Sequence, residues 1–234
     1  ISSAVTAACS RASVIARVAP GAVLEPGVPL AVEPVWDGEN LAGVVVAGKG
    51  DRVSFVAAER LGALGEALAD PAVPKALHDA KALTRALLEA GGDLAGLACD
   101  NALAGYLINP TERVPDLSTL ASQVLGLEIE PEGVAAVAPG AQGAFDFAAT
   151  GPDLERAGRR AVAVARLAEP LTAQLEARGG LDLYREVELP LVRVLARMEE
   201  AGILVDRGYL AELGEHLRDR LATLERQVYQ AAGE

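Results

Sequence analysis

Few side chains in this sequence have the types and spacing that chemistry needs. The histidines are His78 and His216, and neither has Cys, Asp or Glu around it at metal-ligand spacing. Cys9 and Cys99 stand far apart with no CxxC pair, so they suggest neither a zinc site nor a disulfide framework. They read as small buried residues in a reducing cytoplasm. Ser118 and Thr119 have no neighbouring base to activate them. Gly48-Lys-Gly-Asp51 is too short for a phosphate-cradling loop and reads as a hairpin turn. Arg156, Arg159 and Arg160 could meet a phosphate, but pairing with nearby acids is the simpler role. Glu33 is a lone acid at the end of a short apolar run, and Trp36 just after it reads as packing.

The elements that would position these groups are limited by composition. The chain has 234 residues, enough for one full domain and an appendage. Hydrophobic residues make up 51% and favour a packed core, but only 3% are aromatic, which leaves few rings to stack on nucleic-acid bases. The formal net charge is −12, from 33 acidic against 21 basic residues. That balance argues against tight, autonomous DNA binding, which needs a basic face. No apolar run is long enough for a membrane span, and no basic-then-apolar leader opens the chain. The first residue is Ile1 rather than Met, which reads as a piece of something longer.

Residues 1–27 are Ala/Ser-rich and then Pro/Gly-rich, a lead-in segment. Val28–Glu33 is predicted as a strand stopped by Pro34; Leu41–Ala47 and Arg52–Ala57 are two more, joined by short turns into an antiparallel meander. The period then turns helical. Leu61, Leu64 and Leu68 mark a helix stopped at Asp70-Pro71. Lys75–His78 is a short strand, and Asp79 caps a helix carrying Leu83, Leu87 and Leu88. Leu94–Cys99 is a strand, Asp100 opens a helix to Leu107, and another helix runs from Asp116 to Leu125. Residues 131–151 form a loop or insertion. A long helix from Pro152-Asp153 to about Arg178 closes at Gly179-Gly180, the best internal boundary. Helices follow at 181–201 and under the stripe Leu210, Leu213, Leu217, Leu221, Leu224 and Val228. The order is an α/β domain with a mixed sheet, three antiparallel strands and then parallel ones, with an all-α C-terminal extension.

The run from Glu188 to Asp206, ELPLVRVLARMEEAGILVD, resembles the segment that opens the polymerase domain of family A DNA polymerases, the family of bacterial DNA polymerase I. Local reasons support each part. Pro190 fits a first helical turn, Leu191, Val194, Leu195 and Met198 form a stripe predicted to be buried, Gly202 suits a left-handed stop, and Asp206 caps the next helix. The stretch Cys99-Asp-Asn-Ala-Leu-Ala-Gly-Tyr-Leu-Ile-Asn-Pro110 resembles the family's segment after its second exonuclease motif. The resemblance covers roughly residues 28–234 and implies an RNase H-like fold of the 3′–5′ exonuclease type over 28–179, then the first helices of the polymerase thumb over 180–234.

In that family four carboxylates hold two divalent metals, which stabilise the attacking and leaving oxygens of an in-line displacement. Carried over by position, the family's D-x-E falls on Glu33-Pro-Val35, and its N-x-x-x-D on Asp79-Ala-Lys-Ala-Leu83. Its Y-x-x-x-D falls on Arg156-Ala-Gly-Arg-Arg160. The degenerate positions are therefore Glu33, Val35, Leu83, Arg156 and Arg160, and an Arg at a cation site adds the wrong charge. The resemblance implies a parent DNA-directed DNA polymerase, a nucleotidyltransferase of replication and repair in the cytoplasm. This chain alone is expected to be inactive as exonuclease and polymerase, with no metal or cofactor of its own and magnesium confined to the parent's polymerase domain. Its expected partners are the rest of the polymerase chain, DNA only weakly or through the parent, and no membrane. Two other readings stay open: an active proofreading nuclease with a rearranged metal site, and an RNase H-like protein-interaction module.

Overall fold

The computed structural model describes residues 28–48, 52–111, 115–131 and 153–233. The lead-in segment with Cys9, the turn residues 49–51 and nearly all of the 131–151 loop lie outside them. The described chain forms two compact units, divided between Glu200 and Ala201.

The first unit is built on a five-stranded sheet in the order β3-β2-β1-β4-β5. Strands β1 (Leu30–Asp37), β2 (Asn40–Ala47) and β3 (Val53–Ala57) form the antiparallel meander, and β4 (Lys75–Leu77) and β5 (Leu97–Asp100) run parallel to β1. The mixed sheet is the one the sequence pattern indicates. Strand β1 does not stop at Pro34, as predicted, but passes through it to Asp37. Its partner β4 registers only with Leu30 and Ala31, so one side of β1 has no ladder at Pro34 and tolerates a residue without an N–H. A register shift between Val35 and Trp36 ends the regular pairing.

Alternation along the strands loads the two faces differently. Leu30, Val32, Val44, Val46 and Leu77 face α1 (Gly62–Ala69) and α2 (Ala80–Glu89), whose Leu64, Leu68, Leu83 and Leu87 complete that core. Ala31, Val35, Val45 and Ala47 face the long helix α5 (Leu154–Ala177), which contributes Ala161, Val164, Leu167 and Leu171. Helix α3 (Asn101–Ile108) packs beside α5, and α4 (Leu117–Leu120) runs on into a π-helical turn, Ala121–Leu125. Small residues let α5 approach the sheet closely, so a core almost without aromatics still closes.

The compact unit runs past Gly179-Gly180, where the sequence suggests a boundary. Helix α6 (Leu181–Leu183), a π-helical turn at Tyr184–Glu188 and α7 (Leu189–Ala201), up to Glu200, stay with it, because Tyr184, Leu189 and Val192 join the two cores and Ala196 is buried. The stripe Leu191, Val194, Leu195 and Met198, predicted to be buried, is exposed instead; Met198 retains 62% of its surface. α7 spends its smaller apolar side chains on the core and leaves the larger set outside.

The second unit is α8 (Arg207–Ala232), whose first turn is capped by Asp206 accepting from the Tyr209 amide at 3.0 Å. Its leucine stripe forms as predicted and is exposed from Leu213 at 37% to Leu221 at 66%.

Candidate functional site

The carboxyl ends of β1, β4 and β5 lie together, where ligands collect in open α/β sheets. A cleft of about 230 Å³ opens there, lined by Glu33, Trp36, His78, Asp79, Ala82, Asp116 and Arg160 among others.

Glu33 reaches it because odd-numbered β1 residues face α5, and Arg160 reaches it from α5. They meet: the Arg160 Nε donates to the Glu33 Oε1. Both are withdrawn from solvent, at 5% and 7% exposure. Two of the five degenerate positions thus form one buried ion pair. The guanidinium supplies positive charge to Glu33 inside the cleft.

The other three positions go elsewhere. Val35 is buried in the core under α5. Leu83 turns into the core on the opposite face of the sheet. The residue that α2 presents to the cleft is Ala82, one position earlier and equally unable to ligate a cation. Arg156 lies a turn before Arg160, and its amide donates to the capping Asp153. Its neighbour Arg159 pairs with Glu155 at 3.6 Å and Glu130 at 3.9 Å, as its charge surroundings led us to expect.

The sequence reading left His78, Asp79 and Asp116 out of the site. His78 ends β4, and burial holds its pKa down at about 4, with Arg160 adding to the effect and Asp116 opposing it. It is therefore neutral near pH 7, and its Nδ1 is buried without a hydrogen-bond partner among the described residues. Asp79 adopts a left-handed backbone, φ 55°. That conformation is held by Asp100, a buried carboxylate that accepts from the amides of Asp79 (3.2 Å), Ala80 (2.8 Å), Ala102 (3.0 Å) and Leu103 (3.3 Å). One side chain thereby ties the N-termini of α2 and α3 together. Burial pushes the Asp100 carboxyl above its ordinary range, against the opposing pull of those amides. Tyr184 supports it from behind: its hydroxyl accepts from the Asp100 amide at 2.6 Å and donates to the Asp100 carbonyl at 2.9 Å. Position at strand ends was the signal that could have found His78 and Asp79. Asp116 looked only like the start of a helix, which it caps.

Does this set fit the paired divalent metals of RNase H-like nucleases? Hard cations need several converging oxygens. The one acid at a family ligand position already holds a guanidinium, and no group of three His, Cys, Asp or Glu among the described residues could hold a metal ion. The residues do not fit.

The sheet order, the long helix over it and the cleft at the strand ends define an RNase H-like protein of the exonuclease type. The family described as the ribonuclease H-like domain of DNA polymerase I matches residues 39–132. DNA polymerase I from Mycobacterium bovis is 38% identical over 174 residues, 73% of this chain and 19% of that protein. The Chloroflexus aurantiacus enzyme of the same name is 38% identical over 176 residues, 73% of this chain and 18% of that protein. The POL domain of Pol1 from M. smegmatis, solved in complex with DNA primer-template and dNTP, superposes with a TM-score of 0.69 at 28% identity. It covers 91% of this chain and 37% of that one. Brucella melitensis NrnC shares the fold, with a TM-score of 0.59 at 17% identity over 76% of this chain and 88% of its own. The chain is thus related to bacterial DNA polymerase I through its RNase H-like exonuclease domain, and it spans about a fifth of the length of those relatives. Among the described residues, no helix is long and apolar enough to cross a membrane.

Proposed function

We propose that this chain is the exonuclease-like region of a cytoplasmic DNA polymerase I, that the region no longer cleaves DNA, and that it acts as a scaffold. The parent's work would be DNA synthesis in replication and repair, and residues 180–234 would begin its thumb. The observation that carries the reading is the buried Arg160–Glu33 pair at the bottom of the cleft. A guanidinium in contact with the one retained acid repels a divalent cation and occupies the oxygen that would bind it. The acidic rim of Asp79 and Asp116 also disfavours a phosphodiester in the absence of a metal. Magnesium, on this reading, serves the parent's polymerase domain and not this chain.

The exposed apolar stripe of α8 supports a scaffold role. A soluble protein rarely leaves such a face bare, and the remaining four-fifths of the relatives' length offers cover for it. DNA would be reached through the parent, since a net charge of −12 gives this chain little phosphate affinity.

The test is incubation of 3′-labelled single-stranded DNA with the purified chain and Mg²⁺ or Mn²⁺. The expected result is full-length label throughout. Stepwise shortening that disappears in Glu33→Ala would overturn the proposal.

A further inference from the structure

Away from the cleft, a groove of about 540 Å³ lies between α7 and the start of β5. We infer that it docks an acidic, amphipathic segment of a protein partner.

Its floor is apolar: Leu94 and Leu97 on the sheet side, Leu189 and Val192 on α7. Three arginines, Arg185, Arg193 and Arg197, line it, and no carboxylate does. This concentration of positive charge sits on a chain whose net charge is −12. Positions 189, 193 and 197 repeat every four residues along one face of α7, which sets Arg193 and Arg197 in line with Leu189, and Arg185 comes from the π-helical turn before it. Arg193 pairs with Asp93 through Nη2, yet its Nε is buried with no hydrogen-bond partner among the described residues. Arg185 and Arg197 are exposed and make no ion pair among the described residues. The groove thus offers an apolar seat and at least two unengaged guanidinium forks.

Arginine forks match carboxylates in bidentate geometry, and an amphipathic helix lays its apolar face into a groove of this kind. The volume falls in the range of pockets that bury ligands. Single-stranded nucleic acid would also bring negative charge, but its bases need aromatic platforms, and no aromatic ring among the described residues lines the groove. The ligand chemistry that matches both halves is a row of Asp or Glu beside Leu- or Val-type anchors.

The experiment is fluorescence anisotropy with the whole chain and a labelled peptide of about fifteen residues, Glu and Leu placed at helical spacing. Saturable binding that weakens as salt rises is expected. Arg185→Glu with Arg197→Glu should weaken it at least about tenfold, and Val194→Asp at the exposed groove wall should do the same. Circular dichroism establishes that both variants fold. Absence of saturable binding, unchanged affinity in either variant, or equal binding of a scrambled peptide of the same composition overturns the inference. So does displacement of the peptide by an oligothymidine that binds more tightly, which would make the groove a nucleic-acid surface.

Discussion

Replacing Arg160 by Met puts a number on the pair at the heart of the cleft. Glu33 and Arg160 are 5% and 7% exposed, so the variant leaves a carboxylate out of reach of water and without the guanidinium that sits on it. Breaking one side of such a buried pair costs about 3–5 kcal/mol. For a unit of this size, 1 kcal/mol moves the thermal midpoint by about 2–4 °C, so a drop of roughly 6–20 °C is expected. Replacing both partners, Glu33→Leu with Arg160→Met, removes the buried carboxylate as well and should return stability to within about 1 kcal/mol of the parent. Urea unfolding followed by fluorescence is the assay. The one tryptophan, Trp36, lines the same cleft, so the signal reports on the first unit directly. A loss below about 1 kcal/mol for Arg160→Met would refute the reasoning, as would a double variant as unstable as the sum of its singles.

Three further outcomes are expected. His78 is held near a pKa of about 4 against an ordinary 6.5, so the unfolded chain takes up a proton there before the folded one does. Stability should therefore fall as pH drops through that interval, by about 2 kcal/mol between pH 7 and pH 5, and His78→Gln should remove that component from urea midpoints; identical pH dependence in both proteins would count against it. Tyr184→Phe deletes a hydroxyl engaged with both the amide and the carbonyl of Asp100, and should cost about 1–3 kcal/mol in chemical denaturation. Gly96→Ala should destabilise the chain, because Gly96 has φ +67° and an added Cβ would come within 2.6 Å of the Val73 carbonyl oxygen; an unchanged thermal midpoint would contradict the structure.

Much of the fold was legible because periodicity is local. The three-strand meander, the strand–helix alternation and α5 all appear in the spacing of Leu, Val and Ala. Asp100 and Asp206 announce themselves as caps, and both cap. The ion pair was only half legible. Resemblance placed Glu33 and Arg160 at positions of one lost metal site, but contact across so long a stretch of chain has no local signature. The outward face of α7 was misread for a related reason. A helix with two apolar faces gives no sign of which one its neighbours fill, and α7 has Leu189, Val192 and Ala196 on one side and Leu191, Leu195 and Met198 on the other. Asp79 was expected to cap α2, but its side chain makes no cap bond; the Ala80 amide goes instead to Asp100, which folding brings to it.

The Arg160–Glu33 pair also shapes what this sequence can become. A cation tethered to the chain is present at fixed stoichiometry, so the positive charge facing Glu33 does not depend on the supply of any ion. Return to a metal site would have to pass through sequences that lack the guanidinium and do not yet hold the ion. An acid placed at position 160 alone would set two carboxylates against each other in a dry cleft, and each intermediate would be less stable than either end. The pair therefore couples the two positions: a change at 33 or 160 alone is costly, and a change at both together is not.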